Sequence, residues 1–142
     1  MNSMDMPTNS GHPVSPINRN TLDEYIEEMG ESGKDSLSRL IDVFLSTSPK
    51  ILGDIQLALS NLDYQKLNRA FHSLKSSSAI VGADRLSALC LDLEQQTRYV
   101  LQSGSAPESE LQSTILTVGE QVVGEFGDVC IALEQVKREL LT

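Results

Sequence analysis

The sequence has no tryptophan, and aromatic residues make up only 4% of it. Alternation of apolar and polar residues, the mark of a half-buried strand, is nearly missing, while leucine is plentiful. That profile excludes a sheet protein and points to an all-α chain. Basic residues are also scarce, with 11 Lys and Arg against 20 Asp and Glu and a net charge of −9. No arginine-rich patch occurs, which argues against a nucleic-acid partner. The acidity serves solubility and sets the sign of partner steering. No run of about 18 apolar residues exists and the N-terminus lacks a hydrophobic signal core, so no membrane association and a cytoplasmic location are expected. The two cysteines, Cys90 and Cys130, both fall on apolar helical stripes and read as buried thiols in a reducing compartment. No Glu-x-x-His pair of the kind that builds metal sites in helical bundles is present, so no metal is expected. A chain of 142 residues suggests one domain and buries a core without metal or disulfide.

What the sequence does contain is a polar tail and five helical segments. Residues 1–18 include Pro7, Pro13 and Pro16 and show no apolar period, so a disordered tail is expected, with His12 idle within it. Residues 19–142 form the folded domain. A short helix begins at an Asn20 or Thr21 cap, carries Leu22, Ile26 and Met29 on one side, and ends near Gly30. A second helix runs from about Lys34 to Leu59, with Pro49 expected to kink or break it. Asn61-Leu62-Asp63 makes a turn, and Asp63 caps a third helix that ends at Gly82. A fourth helix covers about Ala83 to Leu101, residues 102–109 form a Ser/Gly/Pro linker, and a fifth runs from about Glu110 to Leu141. In the fifth, Leu111, Ile115, Val118, Val122, Phe126, Val129, Leu133, Val136 and Leu140 recur at bundle spacing. Gly119, Gly124 and Gly127 invite a kink or fraying there, since each costs about 1 kcal/mol relative to Ala. Short connections force neighbours antiparallel. The expected fold is therefore an up-down-up-down four-helix bundle with the first helix packed across one end as a lid.

The third segment carries the chemistry. Tyr64, Leu67, Phe71, Leu74 and Val81 fall on one apolar stripe, with Ser78 filling the gap. His72 lies about 100° off that stripe. Its neighbours three and four residues away are Asn68, Arg69, Lys75 and Ser76. The imidazole is thus expected at the surface, beside a cation, where it suits an anionic visitor better than a core.

The run His72-x-Leu74-Lys75-x-Ser77-Ser78-x-x-x-Gly82-Ala83-x-x-Leu86-x-x-x-Cys90-x-x-Leu93-Glu94 resembles the signature of bacterial histidine-containing phosphotransfer (HPt) domains of two-component phosphorelays. It crosses two helices without a gap, and the helix order resembles the family over residues 20 to 141. The phrase Ala58-Leu59 followed by Asp63-Tyr64 is similar to the segment preceding the active helix in bacterial members. The resemblance implies a phosphocarrier with no ATP site of its own. Its histidine takes a phosphoryl group from an aspartyl phosphate on one receiver domain and passes it to an aspartate on another. By matching motif positions, His72 is the phosphorylated residue and Lys75 sits beside the phosphoryl group. The implied partners are response-regulator receiver domains and a sensor histidine kinase, hybrid or not. The chain needs no cofactor of its own, because Mg²⁺ comes with the receiver.

The residues agree with that chemistry. Imidazole is nucleophilic near physiological pH, and a loose phosphoryl transfer needs mainly positioning and charge neutralisation. Lys75, about 5–6 Å from His72 at the Cβ level, offsets negative charge. Glu94, level with His72 across the Gly82 turn, is a candidate to orient the imidazole through its non-attacking nitrogen. A solvated helix charge or an interhelical ion pair is the other reading of Glu94. Asn68, Arg69, Ser76 and Ala79 form the expected docking surface, and Ser76 and Ala79 keep it low. The family usually has Gly where Ser76 stands and Ala where Phe71 stands. Ser76 narrows access or adds a hydroxyl contact, and Phe71 repacks the floor of the site. Gly82 is structural. An autophosphorylating kinase core fits less well, because Ser73 rather than an acidic residue follows His72 and no Thr/Asn-Pro lies beyond it. A non-catalytic adaptor bundle that binds a receiver or kinase predicts the same fold. A monomer is expected. A free-standing carrier and the C-terminal module of a hybrid kinase both suit the sequence.

Overall fold

The computed structural model describes residues 15–142. The elements are α1 (Arg19–Met29), a single 3₁₀ turn (Gly30–Ser32), α2 (Gly33–Asn61), α3 (Tyr64–Ile80), α4 (Asp84–Ser103) and α5 (Ser109–Leu140). No strand is present among the described residues. Helix α2 packs on α3 and α5, and α4 packs on the same two, which closes an antiparallel four-helix ring. The expected all-α bundle is therefore the observed one. Its core is a continuous apolar column with contributions from every helix, including Leu22, Ile41, Phe71, Leu93 and Ile115. The Phe44 and Phe126 rings meet across α2 and α5 with centroids 5.8 Å apart. No helix among the described residues is long and apolar enough to cross a membrane.

The two turns that frame α3 are tight and fully bonded. After α2, Leu62 takes a left-handed conformation at φ 52. Its N–H reaches Leu59 O, and the Asp63 N–H reaches Ala58 O at 2.9 Å. Asp63 then caps α3 at once, its Oδ1 accepting from the Lys66 N–H at 3.1 Å. After α3, Gly82 takes the left-handed position at φ +77. The Gly82 N–H bonds to Ala79 O and the Ala83 N–H to Ser78 O, the pattern that closes a helix on a glycine. A side chain on Gly82 would also meet Asn18 O at 3.0 Å.

That contact marks the main departure from expectation. Residues 15–18, read as the end of a disordered tail, are part of the fold, while residues 1–14, including His12, lie outside the described residues. Ile17 is buried in the core. The Asn18 N–H donates to Gly82 O at 2.8 Å, and the Asn18 side-chain amide donates to Asp84 Oδ2 at 2.9 Å. Asn18, not Asn20 or Thr21, caps α1, because burying Ile17 fixes the extended backbone just before the helix. Arg19 pairs with Glu139 near the end of α5 at 2.6 Å. With α1 packed on α2, the first helix lies over the end of the bundle that holds the α3–α4 turn. The long helices are less interrupted than expected. Helix α2 continues through Pro49, which lies on the exposed side, and α5 continues through its three glycines, with Gly119 buried beneath Leu59.

Candidate functional site

Helix α3 turns its apolar stripe inward, with Leu67, Phe71 and Leu74 wholly buried. His72 is consequently carried to the surface, where its side chain is 62% exposed. Across the α3–α4 interface, Glu94 is the opposite case, a carboxylate only 4% exposed. His72 Nδ1 lies 2.7 Å from Glu94 Oε2. Lys75 Nζ donates to Glu94 Oε1 at 2.7 Å. Arg98, one turn along α4, donates to Oε2 at 3.1 Å. One buried carboxylate thus holds three partners. Burial alone would raise the Glu94 pKa, but the hydrogen bonds and charges of Lys75 and His72 more than offset it, so the carboxyl sits below its ordinary value.

The interface around this cluster is locked in register. The Asn68 amide donates to Glu94 O at 2.9 Å and to Thr97 Oγ1 at 3.1 Å. The Ser87 hydroxyl donates to Lys75 O at 3.0 Å on the other side. Glu94 therefore meets His72 at a height fixed from above and below. An ionised carboxylate can only accept, so Nδ1 carries the proton of this contact, and in the neutral ring the lone pair is on Nε2.

The structure brings together His72, Lys75 and Glu94, and Glu94 makes both contacts at once, with the imidazole at 2.7 Å and, as an interhelical ion pair, with Lys75 at 2.7 Å. Lys75 is only 27% exposed, because its ammonium is drawn onto Glu94. Arg69, Ser76 and Ala79 are exposed around His72. Asn68 is not: both bonds of its amide are made inside the α3–α4 interface, so it positions Glu94 rather than facing a partner. Ser76 bonds its hydroxyl back to His72 O at 3.4 Å, which draws it along its own helix. Cys90, one turn from Glu94, is buried, and its thiol is pushed up to about 12 by burial and by the Glu94 charge. It is no nucleophile at neutral pH. Among the described residues, no group of three or more potential metal ligands occurs.

The family model of the Hpt domain matches residues 39–139, a span that contains the whole His72–Glu94 cluster. The chain belongs to the Hpt domain family. Histidine-containing phosphotransfer protein 1 of Arabidopsis thaliana is 35% identical over 63 residues, which cover 43% of this chain and 41% of that protein. The matched stretch therefore spans less than half the length of that relative. Phosphorelay protein LuxU of Vibrio harveyi is 30% identical over 92 residues, covering 62% of this chain and 81% of LuxU. The crystal structure of histidine-containing phosphotransfer protein B (HptB) from Pseudomonas aeruginosa PAO1 superposes with a TM-score of 0.70 at 27% identity, covering 89% of this chain and 98% of that one.

Three residues of this Hpt domain's site escape a reading of the sequence. Arg98 had a signal, since it stands four residues after Glu94 on one helix face. Thr97 and Ser87 had none, because their role depends on the α3–α4 register.

Proposed function

We propose that this Hpt domain is a phosphorelay intermediate in which His72 Nε2 accepts a phosphoryl group from a receiver-domain aspartyl phosphate and returns it to another receiver aspartate. The observation that carries the reading is a largely exposed imidazole with Nδ1 bound to a buried carboxylate at 2.7 Å. Such a ring presents one nucleophilic nitrogen outward in a fixed direction. The name of LuxU, a phosphorelay protein, supports the same role.

The transfer asks little of this chain beyond position. The Nε2 lone pair attacks phosphorus, the acyl P–O bond breaks, and its electron pair leaves on the receiver carboxylate. The receiver brings Mg²⁺ and the chain supplies no cofactor, so this is a phosphocarrier rather than a kinase. Lys75 neutralises charge at the rim, where transfer depends on electrostatic stabilisation. Arg69, Ser76 and Ala79 form the docking surface beside His72. The partners are response-regulator receivers and a sensor histidine kinase, met by a monomer in the cytoplasm.

Incubation with phosphorylated receivers and Mg²⁺ tests this. Acid-labile, alkali-stable label is expected on wild type, slower label on Lys75→Ala and none on His72→Gln, with His72→Gln still folding cooperatively because the exposed ring is no part of the core. Receiver binding without label on wild type would favour a non-catalytic adaptor.

A further inference from the structure

Glu94 is more elaborately held than the choice of a tautomer requires. A neutral amide acceptor would orient the ring equally well, yet here the acceptor is a carboxylate buried to 4% exposure and clamped by two cations. The charged groups facing it are His72 and Lys75 from α3 and Arg98 from its own helix, with the Cys90 thiol one turn away.

The proton on Nδ1 matters most once Nε2 carries phosphorus. A phosphorylated ring that keeps Nδ1–H is a cation. When an acceptor aspartate oxygen forms its bond to phosphorus, the P–N bond breaks, the pair returns to Nε2, and neutral imidazole departs. If Nδ1–H is lost first, the same cleavage must expel an imidazolate, a far poorer leaving group. With the proton retained, receipt and donation both proceed without any proton entering or leaving the site.

We propose that Glu94, clamped by Lys75 and Arg98, keeps the proton on Nδ1 of phosphorylated His72 and so keeps the phosphoryl group transferable into the alkaline range. Glu94 is here a positioning residue that acts through His72, and the inference rests on His72 being the acceptor. An ionised carboxylate in hydrogen-bond contact favours the cationic ring, and an amide supplies no such charge.

The test is a ³¹P NMR titration of wild type and Glu94→Gln, each phosphorylated with phosphoramidate, which places its phosphoryl group on imidazole and releases ammonia. The phosphohistidine resonance reports Nδ1 protonation directly. The wild-type midpoint is expected to lie at least about one pH unit above that of Glu94→Gln, about tenfold in proton affinity. Coincident midpoints overturn the inference. Should Glu94→Gln fail to fold, Glu94→Asp retains the charge at shorter reach. Its midpoint is expected to fall below wild type by less, and a midpoint at or above wild type overturns the inference. If wild type takes no label, or His72→Gln takes as much, the phosphocarrier reading itself fails, an outcome distinct from labelled proteins with equal midpoints.

Discussion

At the scale of single residues, Glu94 fixes the contact of the His72 ring, its Oε2 lying 2.7 Å from Nδ1. Removing a carboxylate from water is costly, and it is tolerated only where partners compensate. Lys75 and Arg98 do so while remaining partly hydrated themselves, 27% and 51% exposed. The consequence for stability has a definite sign. The Glu94 pKa is lower in the folded chain than its ordinary value, so its ionisation favours folding. That contribution is complete above the ordinary carboxylate range and is lost as pH falls through the depressed folded-state value. Urea unfolding of wild type and Glu94→Gln at about pH 7 and about pH 3 reads this out. Acidification should cost the wild type more than the variant. Equal losses in the two proteins would mean that Glu94 is not differentially ionised. The network was partly legible in the sequence. His72 and Lys75 share one helical face, and Glu94 follows from the position of Gly82. The enclosure of Lys75 and the diversion of Asn68 were not legible, because both depend on how far α4 approaches α3.

At the scale of elements, the α3–α4 hairpin is the working unit. Its register is set by one turn and by the cross-links from Asn68 and Ser87. Gly82 combines a left-handed backbone with a close approach of Asn18 O at 3.0 Å. Gly82→Ala is therefore expected to destabilise by about 1–3 kcal/mol, the left-handed penalty plus displacement of the segment that leads into α1. Denaturant titration measures the loss. A change inside about 0.5 kcal/mol would show that the turn relaxes without strain. A glycine ahead of a fresh helical period announces such a turn, which is why this boundary was readable. Leu62 adopts the same left-handed geometry at the α2–α3 turn with no such announcement. Leucine has no preference for positive φ, and only the Asn61–Asp63 context marked the place. The course of α2 through Pro49 was likewise hidden. Proline removes a bond and crowds the preceding turn, but packing on α3 and α5 holds the helix on both sides of it.

At the scale of the whole molecule, the segment before α1 is what joins the lid to the active hairpin. Ser15 and Pro16 give it the composition of a tail, and composition cannot register that a single isoleucine finds a core site. Ile17 is 2% exposed and packs at the end of the bundle where α1, the α3–α4 turn and α5 converge. If this segment is an integral part of one cooperative unit, Ile17→Ala should cost about 2–4 kcal/mol, the range for truncating a buried isoleucine. The dependence on denaturant should keep its slope, because the same surface is exposed on unfolding. Label on His72 should survive wherever the variant stays folded, since Asn68, Lys75 and Ser87 fix the Glu94 contact from within the hairpin. A second, earlier transition would separate the lid from the bundle. Loss of label in a folded Ile17→Ala protein would show that the lead-in holds the active helix in place as well as covering its end.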